Sequence, residues 1–108
     1  MPNAGFPETR DYIAGIMSQE VAYPFVSEDI VMCVGAGGGL NVVFKALLEP
    51  EDEVLTLAPY FVEYEAYVRN HGGLLSTAKT TSEFQPDLNS IEDKLNEKTK
   101  IVLINSPS

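Results

Sequence analysis

The run Val34-Gly35-Ala36-Gly37-Gly38-Gly39-Leu40 places small residues between a short apolar stretch and a stretch with helical apolar spacing. That combination suits the capture of an anion, phosphate above all. The first N–H groups of a helix have no intrahelical acceptor, and the helix dipole adds partial positive charge at the same end. Glycines let a ligand approach the backbone without meeting a Cβ. The same glycines could instead serve close packing of a strand on a helix, so two roles are open to them.

Composition narrows the partners. Seven basic residues against 16 acidic ones give a net charge of −9, which argues against nucleic acid and against an anionic membrane, since both require a cationic face. A phosphate would therefore be held mainly by backbone groups. The one cysteine, Cys33, cannot form an internal disulfide and provides no metal cluster, which is compatible with a reducing cytoplasm. No metal site is expected. The apolar stretches are short and interrupted, so neither a signal peptide nor a membrane span is expected. The chain is about one small domain in length, and it is read as a single partial domain over residues 1–108.

The elements that would position the glycine turn follow from periodicity. Residues 7–19 read as a helix with Pro7 at its start, Glu8 in its first turn, and Tyr12, Ile13, Ile16 and Met17 on one side. Ile30–Val34 reads as a buried strand leading into the turn. Leu40, Val43, Phe44, Leu47 and Leu48 then form a helical stripe that Pro50 ends. Glu53–Leu57 is a strand, Ala58-Pro59 a turn, and Tyr60–Asn70 a helix stopped at His71-Gly72-Gly73. Leu74–Ala78 is a further strand. Asp87 is a candidate N-cap for a helix with Leu88, Ile91 and Leu95 facing inward, and Lys100–Asn105 is a last apolar strand. Strands alternating with helices imply an α/β fold, a mostly parallel sheet with helices on both faces.

Both ends look incomplete for such a domain. Ser108 follows directly on a core strand, where a loop and helix are expected, and Met1-Pro2-Asn3-Ala4-Gly5 has the composition of a connecting turn.

Two common phosphate motifs are excluded. Counting from Gly35, the last glycine of a dinucleotide fingerprint would fall on Leu40, and the strand ending at Leu57-Ala58 carries no acidic residue for a ribose. A P-loop would need a lysine and a hydroxyl where Leu40 and Asn41 stand.

Six segments taken in order resemble one family. Asn3-Ala4-Gly5-Phe6-Pro7-Glu8-Thr9-Arg10, the Val34–Leu40 turn, Leu48-Glu49-Pro50-Glu51-Asp52-Glu53-Val54-Leu55, Ala58-Pro59-Tyr60-Phe61-Val62-Glu63-Tyr64, Gly72-Gly73, and Lys98-Thr99-Lys100-Ile101-Val102-Leu103-Ile104-Asn105-Ser106-Pro107 are together similar to the class I/II pyridoxal-phosphate-dependent aminotransferases of fold type I. The resemblance runs the whole chain, as the N-terminal part of the large cofactor-binding domain. It implies an enzyme that moves an amino group between an amino acid and a 2-oxo acid, as a homodimer. It implies that Gly35, Ala36 and Gly37 hold the cofactor phosphate, Ala36 and Gly37 foremost, and that Phe61 stacks on the pyridine ring. Many members have Trp there; Phe keeps the flat face and lacks the N–H donor.

The family's remaining chemistry has no counterpart here. Its Asn-Pro-Thr-Gly segment, pyridinium aspartate, Schiff-base lysine and carboxylate-binding arginine all fall after Ser108, and its phosphate-binding tyrosine falls before Met1. No catalytic residue is therefore assigned, and the 108-residue chain is expected to be inactive by itself. Lys45, Lys79, Lys94, Lys98 and Lys100 all read as solvated. His71 reads as a helix-terminal surface residue, Cys33 as a buried apolar filler, and Tyr60, Tyr64 and Tyr67 as packing groups. Glu63 and Glu65 have no evident partner, while Glu83, Asp87, Glu92 and Asp93 read as a solvated acidic face. The alternatives are a non-catalytic phosphate-binding or scaffold domain, and another fold type I reaction such as a carbon–sulfur lyase.

Overall fold

Strand β1, Glu53–Leu57, is the centre of a three-stranded parallel sheet with β2, Leu74–Ala78, on one side and β3, Thr99–Leu103, on the other. This computed structural model describes residues 3–106, so the readings of Met1, Pro2, Pro107 and Ser108 lie outside the described residues. The chain forms two compact units, Met1–Gly39 and Leu40–Ser108.

In the second unit β1 is buried on both faces, because its consecutive residues Val54, Leu55 and Thr56 are all buried and neighbouring side chains of a strand point to opposite sides. One of those faces is filled by a cluster of Phe44, Val54 and Val68, with Leu40, Leu48, Tyr67, Leu75, Ile101 and Leu103 packed against it. Phe44 belongs to helix α2, Gly35–Leu47, and Val68 to helix α3, Glu63–Asn70. The register pairs Glu53 with Leu74 and Leu57 with Ala78 without interruption, whereas the β1–β3 pairing shifts between Glu53 and Val54. Helix α4, Leu88–Lys94, provides the crossover to β3; Asp87 caps it, accepting the N–H groups of Asn89 and Ser90 as expected.

Gly73 lets the α3–β2 connection pass close to the core. A Cβ at that position would lie 3.0 Å from Leu48 Cδ1, 3.0 Å from Val68 Cγ1 and 3.2 Å from Asp52 O. Gly73→Ala is expected to cost about 1–3 kcal/mol and to lower the thermal midpoint by several degrees in a circular-dichroism melt. An unchanged midpoint would mean that the neighbours yield freely.

The first unit departs from the sequence expectation. Helix α1, Pro7–Val21, forms with proline in its first turn, and it runs two residues beyond the expected end at position 19. Its expected inward face is largely open: Tyr12, Ile16 and Met17 are exposed and only Ala14 is buried. The segment 30–34 is not a strand, and Val31, Met32, Cys33 and Val34 are exposed. A strand is a property of paired segments. This one makes scattered bonds and no ladder: Ile30 N–H donates to Ser27 O at 3.1 Å, Met32 N–H to Ala4 O at 2.9 Å, and Arg10 Nε to Ile30 O at 2.8 Å. Cys33 is therefore an exposed thiol and not a buried filler.

Smaller corrections have similar causes. The sheet has three strands because 30–34 remains irregular, and α3 begins at Glu63 because the chain around Pro59 is still turning. Leu88 and Leu95 are exposed, so α4 does not face the core as its spacing suggested, and only Ile91 of that set is partly covered. Within the α2 stripe Phe44 is buried and Leu40 and Leu48 pack on the cluster, while Val43 and Leu47 stay exposed.

Candidate functional site

Helix α2 begins at the glycine turn. Gly35, the first residue of α2, has φ +68°, a left-handed value, and Ala36 follows it in the first turn. Gly35 and Ala36 are exposed, Gly37 is half-buried in the same first turn, and that turn carries no acidic side chain to oppose an anion. Packing does not account for Gly35, Gly38 or Gly39. A Cβ on Gly35 would meet nothing within 4 Å, and on Gly38 or Gly39 it would make ordinary contacts of 3.8 Å with Val34 or Cys33. Backbone conformation, not close packing, is thus what calls for glycine at position 35.

In the second unit a cavity of about 540 Å³ opens at the carboxyl ends of the three strands. Parallel α/β sheets place ligands at that edge. Two threonines hold the strand ends together there: Thr56 Oγ1 donates to Leu103 O and Thr80 Oγ1 to Ala58 O, each at 2.9 Å. Phe61 lines the cavity, is 54% exposed, and meets the ring of Tyr64 edge-on at 5.7 Å and 77°. Tyr64 is buried, so it braces Phe61 from behind and leaves much of that ring open. Polar groups of Tyr60, Gln85, Asn105 and Ser106 share the lining with Phe84. The chain reaches this edge through a cis Ala58–Pro59 peptide.

Residues with other readings fall into place. All five lysines are exposed, as expected. His71 caps the C-terminus of α3 as expected, but it is partly buried and its Nε2 hydrogen-bonds Asn41 Oδ1 at 3.0 Å, where a surface residue was expected. Glu63 and Glu65 do have partners: Tyr67 donates its hydroxyl to Glu63 at 2.9 Å, and Arg69 lies 3.5 Å from Glu65. Both pairs sit at the four-residue spacing of a helix, a signal legible in the sequence. The bond to Glu63 holds the Tyr67 hydroxyl above the ordinary tyrosine pKa. Among the described residues there is no cluster able to hold a metal ion and no helix long and apolar enough to cross a membrane.

Sequence reasoning missed Thr56, Thr80, Thr81 and Phe84. A threonine inside the apolar strand Glu53–Leu57 was the one available hint. The others matter only because strand ends far apart in sequence converge.

Comparison with known proteins now bears on this geometry. The sequence pattern of the family described as aminotransferase class I and II matches residues 1–108. The aspartate/prephenate aminotransferase of Thermus thermophilus is 35% identical over 99% of this chain. The solved aspartate aminotransferase of Thermotoga maritima superposes with a TM-score of 0.91 at 34% identity, covering 100% of this chain. The alanine aminotransferase of Pyrococcus furiosus superposes with a TM-score of 0.90 at 28% identity. The chain spans 28% of the length of the Thermus thermophilus relative and 29% of the solved Thermotoga maritima chain.

Proposed function

This chain belongs to the class I and II aminotransferase family, and from that premise we propose that it holds the phosphate and ring of pyridoxal 5′-phosphate in a protein that moves an amino group between an amino acid and a 2-oxo acid. A homodimer and a cytoplasmic setting are part of the same proposal. The observation that carries it is the start of α2, where a left-handed Gly35 and small neighbours leave first-turn backbone approachable and no packing contact explains glycine at position 35. A dianionic phosphate fits there by charge and by size.

The chain's own groups divide the work. Backbone amides of Gly35, Ala36 and Gly37 hold the phosphate against the positive end of the helix dipole. The open face of Phe61, fixed by Tyr64, sets the plane of the pyridine ring and keeps water from that side. Thr56 and Thr80 hold the strand ends on which the cavity is built. When bound, the cofactor supplies a conjugated electron sink for the bond being broken at the substrate. The names of the relatives pair one fold with aspartate, prephenate and alanine, so substrate choice resides outside the features they share with this chain.

The test uses pyridoxine 5′-phosphate, since five exposed lysines would react with the aldehyde of pyridoxal phosphate. The chain has five tyrosines and no tryptophan, so tyrosine fluorescence reports binding. Pyridoxine 5′-phosphate is expected to bind at least about tenfold tighter than pyridoxine, with inorganic phosphate competing. The same chain given pyridoxal phosphate and an amino acid is expected to release no 2-oxo acid. Equal affinity for the two vitamers removes the phosphate site, and oxo-acid release removes the assignment of catalysis to residues outside this chain.

A further inference from the structure

Phe84 is an exposed aromatic that the fold takes trouble to present. It is 65% exposed and has φ +61°, a left-handed conformation that is a true outlier for a bulky side chain. Both features disfavour phenylalanine at this place. Left-handed backbone suits glycine or asparagine, and a ring that is mostly exposed gains little from burial.

The surrounding loop nevertheless locks the position. Thr81 N–H donates to Gln85 O at 2.8 Å, and Phe84 N–H donates to Thr81 O at 2.9 Å. Thr81 Oγ1 accepts the N–H groups of Glu83 and Gln85 at 3.3 and 3.2 Å. An antiparallel bridge between Thr80 and Pro86 closes the loop at its base. The backbone on both sides of Phe84 is thereby tied, and the ring lines the same 540 Å³ cavity as Phe61. Strain held in place by surrounding bonds, at a residue facing a cavity, is a signature of a binding group.

We propose that Phe84 is a second aromatic wall of the ring cavity, contacting a flat heteroaromatic ligand whose plane Phe61 sets. The inference rests on the cofactor reading of that cavity and adds a residue to it. Phe84 acts on the ring alone, and the phosphate contacts at α2 are independent of it.

A substitution that separates binding from stability provides the test. Phe84→Gly relieves the left-handed strain and forfeits little buried area, so its thermal midpoint is expected to equal or exceed that of the parent. Its affinity for pyridoxine, read by saturation-transfer NMR, is expected to fall about three- to tenfold, with Phe84→Tyr restoring it. A structural role predicts the opposite: a lower midpoint and unchanged pyridoxine affinity in Phe84→Gly, which overturns the proposal. Pyridoxine failing to bind the parent chain also overturns it. The cofactor reading fails separately, if pyridoxine 5′-phosphate binds the parent no more tightly than pyridoxine whatever Phe84 does.

Discussion

Phe44→Ala is expected to lose most of the stability of the second unit. Phe44 is 0% exposed and shares its cluster with Val54 and Val68, also fully buried, so truncation removes the ring from the meeting point of α2, β1 and α3. Such a change costs about 3–5 kcal/mol, against a total stability of about 5–15 kcal/mol for an ordinary domain. Urea denaturation followed by far-ultraviolet circular dichroism gives the comparison, with Val43→Ala as the control. Val43 lies on the same helix but is 41% exposed, and its truncation is expected to cost less than about 1 kcal/mol. Equal losses at the two positions would mean that the cluster is not where the stability of this unit resides.

Ala36→Pro is expected to weaken phosphate binding without unfolding anything. Proline is well tolerated in the first turn of a helix, and the left-handed Gly35 before it already avoids the right-handed helical region that proline disfavours in its predecessor. What disappears is one N–H donor at the positive end of α2. A hydrogen bond to a charged group is worth about 1.5–3 kcal/mol, so the affinity for pyridoxine 5′-phosphate should drop about ten- to hundredfold. Pyridoxine affinity and the thermal midpoint should hold. A variant that binds pyridoxine 5′-phosphate as the parent does would take the amide of Ala36 out of the phosphate site.

Ala36→Pro and Phe84→Gly probe the glycine turn and the aromatic cavity separately. The first is expected to change only what the phosphate adds to binding, the second only what the ring adds. Their separate readouts keep the anion turn and the aromatic cavity individually accountable.

What could be read from residues was what local physics decides. The strands Glu53–Leu57 and Leu74–Ala78 are bounded where their apolar runs meet turn residues, and Asp87 caps α4 through bonds to N–H groups two and three residues on. The glycine turn and Phe61 were singled out on the same kind of signal, spacing along the chain and then the family pattern, and their cofactor roles are part of the proposal. Contacts between remote segments were not legible. Ile30–Val34 has the composition of a strand and stays irregular, because a strand needs a partner and composition cannot supply one. Tyr12, Leu88 and Leu95 sit on regular apolar faces and remain exposed, because periodicity defines a face and not what covers it. The parallel register alone brings Thr56 to Leu103, 47 residues away, and gathers Phe61, Thr80 and Phe84 around one cavity. The sequence by itself determined the strands Glu53–Leu57 and Leu74–Ala78, the start of α1 at Pro7 and the Asp87 cap of α4, since each depends on neighbours a few residues apart. Only the tertiary structure decided which strand exists, which faces are covered and which aromatics share a cavity, since those depend on hydrogen bonds and packing between distant segments.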